Sequence, residues 1–141
     1  MNYKFFFLVL FSLICVNNIF AQRKVFTKKN GITIMVQEEP RIGECQLQNG
    51  KKMYQHRITV YAVNENAFEV TFNKPLAARV PEDAKLPSNR DGCWDKLDRG
   101  KWRDLTKLDS RAEATLITKI VLSENINTAG RITCEIPDLK K

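Results

Sequence analysis

Two tryptophans and a run of cations stand out as side chains able to do chemistry. Trp94 and Trp102 occupy the segment CWDKLDRGKWRD, with Arg99, Lys101 and Arg103 around the second ring. Aromatic faces stack on sugars, Arg and Lys supply donors and positive charge to anionic groups, and Trp and Arg are favoured anchors of protein interfaces. Trp94, Trp102, Arg99, Lys101 and Arg103 are therefore the candidate ligand-binding residues. The competing role is structural, because tryptophan is highly buried on average and one or both rings would then plug an open end of the domain.

Other chemistry is thinner. Asp91, Asp95, Asp98 and Asp104 interleave with Arg90, Lys96, Arg99, Lys101 and Arg103. Calcium loops need an alternation of oxygen ligands and a glycine at the bend, which this segment lacks, so the mixed charges read as ion pairs on a solvated loop. His56 is the one histidine, at the start of an alternating stretch. A Cys–His nucleophilic pair is conceivable, but a histidine at a strand start is more often structural. No GxSxG elbow, HExxH helix or glycine-rich phosphate loop occurs. No catalytic residue, metal ligand or cofactor is assigned.

The N-terminus carries Lys4, the apolar run Phe5–Val16 and a small residue at Ala21. These are the three parts of a secretory signal, and the run is shorter than the ~20 residues a spanning helix needs. Cleavage after Ala21 leaves residues 22–141 as one domain, exported to a periplasm or secreted and not membrane-spanning. Cys45, Cys93 and Cys134 would remain in an oxidising setting, where one disulfide and one spare thiol are expected. The chain enters and leaves the central strands at one end, which favours Cys45 with Cys93 and leaves Cys134 as a small buried apolar residue.

The chain carries a formal net charge of +7 over 141 residues. A positive surface suits acidic partners, or serves simply as solvated surface. Export makes nucleic acid the least expected of these partners. An anionic glycan or an envelope or extracellular protein fits better.

The elements that must position the candidate residues are strands. Asn30-Gly31 is a type I′ hairpin signal and sets Phe26 opposite Met35 and Val25 opposite Val36, with Ile32, Ile34 and Val36 on one face. Asn49-Gly50 marks a second tight turn, after a short strand carrying Cys45 and Leu47. In Tyr54–Pro75, Ile58, Val60 and Ala62 alternate with polar residues, and Phe68, Val70 and Phe72 do so again after Asn64-Glu65-Asn66. This pattern predicts a hairpin with Ala62 opposite Phe68, Val60 opposite Val70 and Ile58 opposite Phe72, unless the two strands diverge into separate sheets. Trp94, Leu97, Leu105 and Leu108 have loose helical spacing around Gly100, which predicts one or two short helical turns within a long irregular loop. The stretches around Ala114–Leu122 and Ile132–Ile136 predict a closing hairpin with Leu122 opposite Ile132 and Ile120 opposite Cys134, followed by a frayed DLKK tail.

About six or seven short strands joined by polar turns predict an all-β fold, a single antiparallel β-sandwich or a small barrel. The architecture resembles an immunoglobulin or fibronectin type III sandwich, although the immunoglobulin Cys–Trp–Cys spacing is not cleanly present. The expected function is that of an exported, non-catalytic binding module acting through the tryptophan-bearing loop. The alternatives are a small secreted hydrolase using loop carboxylates or His56, and an inhibitor of an extracellular enzyme.

Overall fold

A computed structural model describes residues 22–47, 50–80, 100–124 and 132–141. Among these residues the chain is all-β, with nine strands and no helix. They are β1 (Arg23–Lys29), β2 (Ile32–Gln46), β3 (Lys52–Asn64), β4 (Val70–Leu76), β5 (Ala78–Arg79), β6 (Lys101–Trp102), β7 (Leu105–Leu108), β8 (Glu113–Ser123) and β9 (Thr133–Cys134). A five-stranded antiparallel sheet has the order β1-β2-β3-β8-β6, and β4-β7 and β5-β9 form two smaller antiparallel sheets. No sheet closes into a barrel, and the three do not make the clean single sandwich of the immunoglobulin type that the sequence suggested.

Asn30-Gly31 forms the expected turn, with φ of 54° and 74°. A Cβ on Gly31 would lie 2.4 Å from Asn66 Oδ1, so a larger residue would displace the Asn66 side chain as well as strain the backbone. Next to the turn the register follows expectation, Lys29 facing Ile32 and Thr27 facing Ile34. A bulge at Phe26 then shifts it by one, so Val25 faces Met35 and Lys24 faces Val36. At the second turn Cys45 faces Met53 and Gln46 faces Lys52, with Gly50 at φ 84°. Leu47 therefore belongs to a wider loop rather than pairing with Lys52.

β3 is the centre of the large sheet, and its alternation is observed: His56, Ile58, Val60, Ala62 and Asn64 are buried. Its partners differ from those expected. Val60 faces Val36 on β2 and Ile117 on β8, whereas Val70 faces Leu108 on β7. The predicted β3–β4 hairpin is thus replaced by divergence into separate sheets. Phe68, expected inside, is 60% exposed. Val70 and Phe72 still point inward and join Ile32, Ile34, Ile58, Val60, Leu76, Leu105, Leu108, Leu116 and Ile117 in one apolar cluster. Each fully buried Val, Leu, Ile or Phe side chain stabilises such a core by roughly 1.5–3 kcal/mol relative to exposure. On β8 a register shift opposite Val60/Tyr61 lets Leu116 and Ile117 both turn inward, although they are adjacent in sequence.

Leu105 and Leu108 lie on β7 and are both buried, so their spacing reflects an irregular strand, not a helical turn. Trp94 and Leu97, the rest of that expectation, lie outside the described residues. The closing hairpin is also revised. β9 pairs with β5, Cys134 facing Ala78, while β8 is occupied by β3 and β6. The tail is not frayed: Leu139 bridges to Phe72, Asn73 N donates to Asp138 O at 2.8 Å, and Lys140 N donates to Thr71 O at 2.8 Å.

Two of the three cysteines lie among the described residues, and they differ in state. No disulfide bond joins two described residues, and Cys134 is a free, half-buried thiol whose burial pushes its pKa up to about 11. Cys45 is disulfide-bonded and packs beside a small second cluster of Leu47, Met53 and Leu122, while Cys93, its expected partner, lies outside the described residues. Met53 has the opposite parity to Ile58 and Val60, so this cluster belongs to the other face of the sheet.

Candidate functional site

The chain reaches the edge of the large sheet through Gly100, at φ 78°. A Cβ there would lie 2.9 Å from Thr118 O and 3.0 Å from Lys119 Cβ, so only glycine lets the backbone approach β8 this closely. Lys101 then faces Thr118, Trp102 faces Ile117, and Arg103 N donates to Leu116 O at 2.8 Å. Among the described residues this short ladder makes β6 an edge strand, and it fixes where its side chains project.

Trp102 is 60% exposed, so it is not core. Lys101 and Arg103 on either side are exposed and make no ion pair among the described residues. The pleat sends neighbouring side chains to opposite faces, which sets the ring on one side of the edge and the two cations on the other. Three of the five candidate ligand-binding residues are thus contiguous on one exposed edge. Trp94 and Arg99 lie outside the described residues.

Asp104, next in sequence, is engaged internally. Arg79 grips it with both arms, Nη1 to Oδ1 at 3.0 Å and Nη2 to Oδ2 at 3.1 Å, and Arg79 Nη1 also donates to Ala78 O at 2.9 Å. The guanidinium holds the Asp104 carboxyl below its ordinary range, and the carboxylate holds Arg79 above its own. Lys119 Nζ donates to Val80 O at 3.0 Å. Both contacts tie the segment around β5 to the β6–β8 edge, so the scaffold behind Trp102 is fixed by named charges.

His56 is fully buried, with Nδ1 3.6 Å from Glu38 Oε1. Asp91, Asp95 and Asp98 lie outside the described residues. Among the described residues no group of three or more His, Cys, Asp or Glu side chains is arranged to hold a metal ion, and no helix is long and apolar enough to cross a membrane.

One residue not singled out from the sequence organises the turn at the end of β3. Asn64 is fully buried, and its Nδ2 lies within hydrogen-bond distance of Phe68 O (2.9 Å), Asp109 O (3.0 Å) and Leu108 O (3.2 Å). Its Oδ1 accepts from Asn66 N at 3.0 Å, an Asx turn. Asn64 N donates to Ala112 O, Glu65 N to Gly31 O and Asn66 Nδ2 to Asn30 O. Arg111, at φ 57°, closes the knot by donating from N to Asn66 O and from Nη1 to Glu65 O. The signal was present in Asn64-Glu65-Asn66, since Asn side chains favour bonds to backbone two residues on; what the sequence could not supply was the remote carbonyls of Leu108 and Asp109.

No family model, curated protein or solved structure matches this chain.

Proposed function

We propose that the chain, after removal of the leader 1–21, is an exported, non-catalytic binding module that engages an acidic partner protein through the β6 edge. The observation that carries this reading is the exposure of Trp102 between two cations, Lys101 and Arg103, that make no ion pair among the described residues, on a strand held in place by Gly100 and the Arg79–Asp104 bridge. Leaving a tryptophan mostly in water forfeits burial energy that the fold could otherwise use, and exposed aromatics beside Arg or Lys are favoured as interface anchors. The opposed facing of ring and cations favours a polypeptide that wraps the edge over an anionic glycan stacked flat on the ring, because a flat stack would reach the ring without the cations.

The test uses two polyanion probes, poly-L-glutamate and heparin, titrated at low and moderate salt. Trp102→Ala and the double variant Lys101→Glu/Arg103→Glu are expected to weaken poly-L-glutamate binding by about tenfold or more. A charge-matched control, Lys140→Glu/Lys141→Glu, is expected to weaken it only slightly. Equal losses in all three variants would show that net charge alone drives binding and would remove the reading. Site-dependent binding of heparin without poly-L-glutamate would transfer the site to a glycan.

A further inference from the structure

The main chain of β6 is as informative as its side chains. Lys101 faces Thr118, Trp102 faces Ile117, and Arg103 N donates to Leu116 O at 2.8 Å. In an antiparallel ladder, residues bonded to the neighbouring strand alternate with residues whose N–H and C=O point to the other side. Arg103 is a bonded position, so Trp102 is an outward one. Among the described residues no strand lies beyond β6, and the Trp102 N–H and C=O stand as a donor–acceptor pair on an open edge.

The two faces of the sheet decide which side chains an added strand would carry. Trp102 continues the row Val36–Val60–Ile117 on the core face. Lys101 continues the row Gln37–Thr59–Thr118 on the other face. Residues directly opposite each other on neighbouring strands share a face. A residue laid against Trp102 therefore extends an apolar row, and its two neighbours in sequence lie beside Lys101 and Arg103. Neither cation has an acidic partner among the described residues, and the adjacent carboxylate, Asp104, is held by Arg79. A second copy of β6 laid antiparallel would set Lys101 against Arg103, cation on cation, which is destabilising.

We infer that β6, resting on the binding role given to this edge above, takes an extended acidic–apolar–acidic segment of the partner protein as an added strand. The apolar residue exchanges both main-chain hydrogen bonds with Trp102 and packs on the ring, and the flanking carboxylates lie beside Lys101 and Arg103. Strand addition takes affinity from the main chain and selectivity from alternate side chains, and β6 offers both.

The probe is a blocked five-residue peptide, glycine-glutamate-valine-glutamate-glycine, titrated at low salt into the full mature chain while backbone amides are followed by NMR. Expected are shifts centred on residues 101–103 and about fivefold slower exchange of the Trp102 amide at saturation. N-methylation at the valine removes the N–H that donates to Trp102 O and is expected to weaken binding about tenfold. N-methylation at the first glutamate, whose N–H points away from the sheet, is expected to weaken it no more than about twofold. A peptide with lysine for glutamate is expected to lose about tenfold or more, as is the glutamate peptide with Lys101→Gln/Arg103→Gln. Equal effects of the two methylations would overturn the added strand, and equal binding by the lysine peptide would overturn the charge pattern. No shift at millimolar peptide, with Trp102-dependent binding of poly-L-glutamate intact, would overturn this inference and leave the binding role of the edge standing. Loss of that dependence would remove both.

Discussion

The Asn64 end of the fold and the Trp102 edge are both built from polar and aromatic residues in turns and short strands, yet they spend them oppositely. At the Asn64 end, donors are turned inward: Nδ2 is shared among three carbonyls, Oδ1 accepts from Asn66, and Arg111 closes the loop from outside. At the β6 edge the backbone is paired with β8 while the side chains of Trp102, Lys101 and Arg103 remain exposed. A polar residue whose partners are internal is there for folding. Side chains left exposed on a rigid backbone are available to something else.

The comparison can be broken by mutation, and the largest effect is expected at Asn64. Asn64→Ala removes a buried donor and acceptor and leaves carbonyls of Phe68, Leu108 and Asp109 short of a partner, at a cost of about 3 kcal/mol. Thermal unfolding should fall by about 10 °C in a domain of this size. A loss of only a few tenths of a kcal/mol would mean that water replaces the side chain and that the knot is not structural.

Gly31→Ala comes next. It places a side chain at positive φ and displaces Asn66 from its bond to Asn30 O, so about 1–2 kcal/mol should be lost in chemical denaturation. Thr106→Ala, at an exposed strand site, serves as the reference.

Trp102→Ala should change stability by no more than about 0.5 kcal/mol, because the ring is mostly in water. If it instead costs as much as Asn64→Ala, the contrast collapses and Trp102 is a packing residue. The smallest effect concerns the bridge behind the edge. Because the folded Asp104 pKa is depressed, its contribution is present above the ordinary carboxylate value and is lost as pH falls through the folded value. NMR titration should find the Asp104 carboxyl below its usual range in the native chain and returned toward it in Arg79→Gln. An ordinary value in the native chain would mean that the bridge does not form in solution.

Local features were legible because they depend on neighbours in the chain. Asn30-Gly31 adopts the turn its dihedral preferences demand, and the alternation of Ile58, Val60 and Ala62 places all three inside. Of the candidate site, Lys101, Trp102 and Arg103 were recognisable as a group, but their exposure was not. A tryptophan in sequence carries no sign of whether the fold covers it.

Pairing was the main failure, and the reasons are physical. Alternation assigns a face to a strand without naming its neighbour, so Val60 and Val70 fitted a hairpin equally well as they fit two sheets. The bulge at Phe26 and the one opposite Val60 each move the register by one residue, and no residue type announces them. Leu105 and Leu108 satisfy helical spacing and an irregular strand alike.

By itself, the sequence determined an all-β chain, the turn at Asn30-Gly31, the inward faces of β2 and β3, and a set of aromatic and basic residues suited to binding. Tertiary structure alone decided that β3 lies between β2 and β8, that the C-terminal tail pairs along β4, and that Trp102 stands exposed on an edge while Asn64 is buried in a knot. Short-range dihedral and burial preferences act within a few residues and can be read in order along the chain. Strand partners and solvent exposure depend on contacts between distant segments, which exist only once the whole chain has packed.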